Sequence, residues 1–197
     1  MLSRELVPSF QRHRALVSIV EVVANKGYAA TTIADIVGGA GLSKATFYEH
    51  FPDKEACFLA AYDLGSRTLY DMVVSAAQGA DPLDQLAQAM DVYLGALARA
   101  PMWARAFLVE VNSAGPAARR RMREVNGWYA ELLRQWRGEA APLVRSPAPP
   151  RAVYAACVAA VNELVVRELE RSTRPRLLAL RGSALYIQHS LLGVDPD

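Results

Sequence analysis

Along almost all of this chain, apolar residues recur at three- and four-residue spacing, while runs that alternate β-branched and polar residues are missing. Spacing of that kind gathers side chains into one stripe of a helix and would scatter them over both faces of a strand. The expected fold class is therefore all-α. From Ser9 to Lys26, the positions Leu16, Ile19, Val20 and Val23 mark one face, and Gly27 is placed to end the helix in a left-handed cap. Thr32 and Asp35 have the spacing of a capping box, so a short helix starts at about Thr32 and stops in Gly38-Gly39-Ala40-Gly41. Ser43 is a second N-cap, leading into a short helix over Lys44 to His50 in which Phe47 shares a face with Phe51. Longer helices are predicted over Asp53 to Gln78, Leu83 to Ala100, Met102 to Ser113, Ala117 to Arg137, Arg151 to Arg171 and Pro175 to Leu192, separated by glycine and proline. Ser146 to Pro150 is the one linker-like stretch.

With 197 residues, 52% of them hydrophobic, the chain can bury a sizeable core. A net charge of +2 is too small for field strength alone to indicate a polyanionic partner. The first 62 residues are neutral in sum, since Arg4, Arg12, Arg14, Lys26, Lys44 and Lys54 are matched by Glu5, Glu21, Asp35, Glu49, Asp53 and Glu55. Any nucleic-acid argument must rest on placement. Cys57 and Cys157 lie in helix-like apolar stretches and read as reduced core residues rather than a disulfide framework. No apolar run approaches the ~20 residues that span a bilayer, and the N-terminus has no signal-peptide pattern, so the chain is expected to be soluble and cytoplasmic. His13, His50 and His189 are isolated and the cysteines are unpaired in spacing, so no metal and no cofactor are expected. A nucleophile elbow is missing, and Val37-Gly38-Gly39-Ala40-Gly41 follows a helix rather than a strand, so it is not a phosphate-binding loop. The chain is not expected to be an enzyme.

Two short helices joined by a glycine-containing turn form the arrangement that sets the second helix into the major groove. The segment TTIADIVGGAGLSKATFYEHFPDKEACF, Thr31 to Phe58, resembles the signature of the TetR family of helix-turn-helix transcriptional regulators, in its Ala-Gly-Leu-Ser turn, its Thr-Phe-Tyr-x-His-Phe helix and its Asp-Lys-Glu start of the fourth helix. Val37 stands where the family usually keeps alanine, and Ala45 where glycine or proline is common. The resemblance implies a three-helix DNA-binding domain over 1–52, followed by a six-helix ligand-binding and dimerisation bundle over 53–197. It further implies that Thr32 and Lys54 contact phosphates, that Tyr48 and His50 touch the DNA backbone, and that Lys44 and Thr46 reach base edges, with Ala45 against a thymine methyl. Phe47 and Phe51 should be core. Arg12 and Arg14 are further phosphate candidates, or simply a solvated face.

The remaining chain resembles the family in helix count and layout. In Arg151 to Arg171, Val153, Cys157, Val161, Leu164 and Val165 share a face, and Ala156 and Ala160 permit close approach, while Leu177, Leu180, Leu185 and Leu191 form a stripe in the last helix. This pair is expected either to join two copies as a homodimer or to line the chain's own core. Between it and the head, Tyr93, Trp103, Phe107, Glu110 and Trp128 are candidates for contact with an apolar small-molecule effector, or belong to the core of the bundle. Glu110 interrupts an apolar run, so it needs a partner such as Arg105 or a ligand cation, unless it faces solvent. Arg119-Arg120-Arg121 and Arg123 read as a solvated face, and Glu163 with Arg167 as a local ion pair. The expected function is a ligand-responsive repressor that binds a palindromic DNA operator as a dimer. The competing possibility is a helical carrier or adaptor that binds no DNA.

Overall fold

The computed structural model describes residues 2–144 and 146–194. It is all-helical among those residues: α1 (Leu2–Lys26), α2 (Ile33–Ala40), α3 (Lys44–His50), α4 (Lys54–Ala77), α5 (Gln85–Arg99), α6 (Pro101–Ala104), α7 (Pro116–Glu139), α8 (Arg151–Arg171) and α9 (Arg181–Leu192). Contacts divide the chain into two compact units, one of Met1–Ser66 with Met102–Arg119, the other of Arg67–Pro101 with Arg120–Asp197. No helix of the described residues is long and apolar enough to cross a membrane.

In the first unit, the predicted stripe of α1 is buried: Leu16, Ile19, Val20 and Val23 are at most 1% exposed, and Ile36 of α2, Phe47 of α3 and Phe58 of α4 are completely buried as well. Gly41 ends α2 at φ 60, the left-handed cap that glycine adopts without steric cost, and Arg14 Nη2 donates to its carbonyl at 3.2 Å. Of the pair Gly38 and Gly39, packing requires glycine only at Gly39. A Cβ on Gly39 would lie 2.5 Å from Ser18 Oγ, which donates to Ile36 O at 2.8 Å, so α1 and α2 cross closely because Gly39 has no side chain.

The helix predicted over Met102 to Ser113 is only partly α. After α6 the chain widens into a π turn over Arg105–Val109 and tightens into a 3₁₀ turn over Glu110–Ala114. Packing overrides the periodicity here. Ala106 and Val111 are completely buried, and Phe107 and Trp103 lie on α4 at Gly65, where a Cβ would run into the Phe107 ring.

The second unit has its core in Val73, Leu86, Ala89, Leu132, Leu133, Trp136, Tyr154, Cys157, Val158 and Leu192. Arg137 is 3% exposed, yet engaged: Nε donates at 2.8 Å to Leu192 O, a carbonyl that the end of α9 leaves open, and Nη2 donates to Ser146 O at 2.6 Å. The helix expected over Pro175 to Leu192 starts later, after a 3₁₀ turn at Leu177–Leu180, because buried Glu168 draws the Arg176 amide to its carboxylate at 2.7 Å and fixes the chain outside helical geometry. Cys157, Val161 and Val165, expected on a shared face of α8, are buried within this unit; its exposed side carries Ala152, Ala155, Ala156 and Ala159 instead. Glu163 and Arg167 form the expected ion pair, Oε1 to Nε 2.7 Å, on the surface.

Two outcomes follow from this packing. Gly65→Ala is expected to destabilise the fold by about 1–3 kcal/mol through the displaced Phe107 ring, read as a lowered midpoint in urea. Burial pushes the Cys57 thiol up to about 12 and the Cys157 thiol up to about 11, so a disulfide reagent at neutral pH should label neither until the protein is unfolded.

Candidate nucleic-acid interface

The candidate reading surface is built on α2, its turn and α3. Thr32 caps α2 reciprocally: its Oγ1 accepts from the Asp35 amide at 3.2 Å, and Asp35 Oδ2 accepts from the Thr32 amide at 2.8 Å and from its hydroxyl at 2.6 Å. Lys26 Nζ donates to the same carboxylate oxygen at 2.6 Å. These donors, Lys26 foremost, hold the Asp35 carboxyl well below the usual carboxylate range. Thr32 is therefore exposed but occupied, its hydroxyl both giving and taking a hydrogen bond within the cap.

Ser43 Oγ starts α3 by accepting from the Thr46 amide at 3.0 Å, and the hydroxyls of Ser43 and Thr46 share a hydrogen bond at 2.9 Å. Phe47 is buried completely and Phe51 nearly so, as expected of core residues. With that side turned inward, Lys44, Ala45, Tyr48 and Glu49 are left exposed on α3, Tyr48 to 54%. Thr46 is half-buried beside Ser43, and His50 is half-buried with its Nε2 in no hydrogen bond. The exposed face combines a cation, a methyl and a phenol with the carboxylate of Glu49, and the unpaired His50 Nε2 lies buried beside it.

Lys54 is placed differently from a freely projecting phosphate contact. Its ammonium donates to Tyr28 O and Thr31 O, each at 2.8 Å, and lies 4.2 Å from the centre of the Tyr28 ring; burial lowers its pKa from the ordinary lysine value. Two of its three N–H donors are thus spent on the turn between α1 and α2. Arg14 is likewise engaged at Gly41, and Arg12 lies 5.2 Å from the Phe51 ring centre.

The five effector candidates fall into separate units. Trp103, Phe107 and Glu110 belong to the first, where the two rings pack edge to face at 5.2 Å. Glu110 is half-buried and has a backbone partner that its sequence context does not suggest: Oε2 accepts from the Tyr28 amide at 2.9 Å. Tyr93 and Trp128 belong to the second. There Trp128, Tyr70, Tyr129 and Tyr93 form an edge-to-face series with centroids 5.9, 5.4 and 6.1 Å apart. Tyr93 Oη donates to Asn162 Oδ1 at 2.8 Å, and Asn162 in turn to Asn126 Oδ1 at 3.2 Å. Arg67 and Arg121 lie 5.6 and 5.5 Å from the Trp128 ring centre, Arg121 also pairing with Glu124 at 2.6 Å. Among the described residues, no group of three or more His, Cys, Asp or Glu could hold a metal ion.

Comparison with known proteins agrees with this geometry. Residues 16–61 match the family model described as bacterial regulatory proteins, tetR family. Over 51 residues, 26% of this chain and 18% of the relative, the sequence is 43% identical to an uncharacterized HTH-type transcriptional regulator, YerO, of Bacillus subtilis. Over 132 residues it is 26% identical to the HTH-type transcriptional regulator EthR of Mycolicibacterium smegmatis, covering 66% of this chain and 57% of the relative. The matched stretches thus span less than two thirds of either relative. In three dimensions the chain is similar to the fatty acid degradation regulator FadR of Bacillus halodurans (TM-score 0.82, 19% identity, 95% of this chain and 97% of that one). It is also similar to FadR of Bacillus subtilis solved with stearoyl-CoA (TM-score 0.79, 20% identity, 91% and 98%). At these identities the structural likeness speaks for the fold.

The α2 cap makes a pH-dependent prediction. Because folding lowers the Asp35 pKa, its contribution is present above the ordinary aspartate value of about 4 and lost as pH falls below it. Urea midpoints measured from about pH 6 down to pH 3 should therefore fall less steeply for Asp35→Asn than for the unaltered chain.

Proposed function

Through residues 16–61 the chain belongs to the tetR family of bacterial regulatory proteins, and from that premise we propose that it is a ligand-responsive repressor of transcription. The observation that carries the proposal is the exposed row Lys44, Ala45 and Tyr48 on a helix whose other side is locked by Phe47. Lys44 and Thr46 read base edges in the major groove and Ala45 meets a thymine methyl. Thr32, Tyr48, His50 and Lys54 contact the phosphate backbone and set the register. A helix of this length reads few base pairs, so two heads on a palindrome are needed for specificity.

Pairing of copies is assigned to α8 and α9. The outer side of α8 carries Ala152, Ala155, Ala156 and Ala159, and the α9 region exposes Tyr186 to 74% and Leu178 to 62%, large apolar side chains that a partner copy would cover. The effector is a small molecule with an apolar body, met by aromatic side chains including Tyr93 and Trp128; the likeness to a FadR solved with stearoyl-CoA makes acyl-CoA thioesters the first compounds to try. An effector that binds one head geometry better than the other lowers operator affinity by that difference.

Selection of bound duplexes from a random pool, followed by titration of the winner, tests the proposal. A palindromic winner bound about 1,000-fold above scrambled DNA is expected, with Lys44→Ala costing about 1–3 kcal/mol and relaxing preference at the bases it reads. Absence of any enriched sequence, with stearoyl-CoA still bound, would favour a carrier without DNA binding. In sedimentation, Tyr186→Arg is expected to shift a dimer toward monomer while leaving the helical content unchanged; an unshifted dimer would place the contact elsewhere.

A further inference from the structure

The connection between α1 and α2 is gripped from two sides by residues far away in sequence. Lys54 holds its carbonyls, at Tyr28 and Thr31. Glu110, 82 positions from Tyr28, holds its amide at 2.9 Å. Gly27 turns at φ +83, and a Cβ there would stand 3.4 Å from the same Glu110 oxygen, so the chain passes beneath the carboxylate at a residue suited to both the dihedral and the close approach. Glu110 is not a loosely tethered side chain. It opens the 3₁₀ turn directly after the π turn and is followed by Val111, which is completely buried. An apolar link runs in parallel, from the Tyr28 ring to Phe58 at 5.1 Å and from Phe58 to Phe107 at 6.0 Å.

We propose that Glu110 is a positioning residue for DNA reading: by accepting the Tyr28 amide it fixes the turn from which α2, and through Gly41 α3, takes its direction. This rests on the regulator reading above. The Tyr28 N–H lies just past the end of α1, and a carboxylate acceptor makes a stronger bond to it than a neutral one. Lys54 on the carbonyl side pulls the same turn with the opposite charge, so the turn's place is set by both groups together. Met102–Arg119, which carries Glu110, is flanked in sequence by Arg67–Pro101 and Arg120–Asp197, the stretches that hold Tyr93 and Trp128. The direction of the head thereby depends on a residue outside the contiguous helix-turn-helix.

The test compares Glu110→Ala and Glu110→Gln in the full chain. Readouts are Tyr28 amide hydrogen exchange by NMR, thermal melting, and affinity for the selected duplex at several salt concentrations. Glu110→Ala is expected to speed Tyr28 exchange and weaken the duplex by about tenfold or more, with an unchanged salt slope, since no phosphate contact is lost. Glu110→Gln, whose amide oxygen still accepts, should recover most of both losses. Unchanged Tyr28 exchange in Glu110→Ala would overturn the proposal. So would tighter DNA binding in both variants, which is the outcome if the carboxylate merely repels phosphate. A loss in Glu110→Ala that disappears at a temperature where the variant is fully folded would reduce Glu110 to a stabilising contact. If the unaltered chain selected no duplex, the regulator reading would fall together with any role in DNA reading, while the exchange comparison would still decide whether Glu110 holds the turn.

Discussion

A helix the length of α3 has no stability of its own in water, because nucleating its first turn costs more than its few hydrogen bonds return. Its existence depends on Phe47, which is completely buried, on a helix that packs against α1 and α2. That single insertion also decides which residues face outward. Once Phe47 points inward, the helical period places Lys44, Ala45 and Tyr48 on the open side. The proposed reading face is thus the complement of a packing decision, and the chemistry that it presents follows from the register of one aromatic ring.

Where structure is set by neighbours in sequence, the chain declares it openly. The caps at Thr32 and Ser43, the left-handed stop at Gly41 and the buried stripe of α1 are all written within a few residues, and α3 and α8 have the boundaries that their periodicity predicts. What stays hidden comes from contacts between distant segments. Apolar spacing over Met102 to Ser113 reads as one helix, but the close approach at Gly65 and the buried Ala106 and Val111 favour a wide turn followed by a tight one. Likewise, the partner of Glu110 is a backbone amide, which carries no residue type for a sequence to display.

The reading-face residues were partly legible. Lys44, Ala45 and Tyr48 are exposed where the motif puts them, whereas Thr32 and Lys54 are tied into the head by their own hydrogen bonds. A hydroxyl or an ammonium that suits phosphate suits a carboxylate or a carbonyl just as well, and sequence alone does not say which it meets first. The effector candidates show the same ambiguity: aromatic content marks where rings will cluster, but not whether they pack on glycine, as Phe107 does, or stand half-buried, as Tyr93 and Trp128 do.

The grip of Glu110 on the Tyr28 amide also bears on modularity. The helix-turn-helix motif proposed to read DNA is contiguous over the first quarter of the chain, and it invites being cut there and joined to another body. Yet the unit in which it packs includes Met102–Arg119, with the buried Val111 and the carboxylate that holds the first turn. A head excised by sequence would leave behind one of the two hands that hold it in shape, so exchange of heads between such proteins has to carry the distant segment as well.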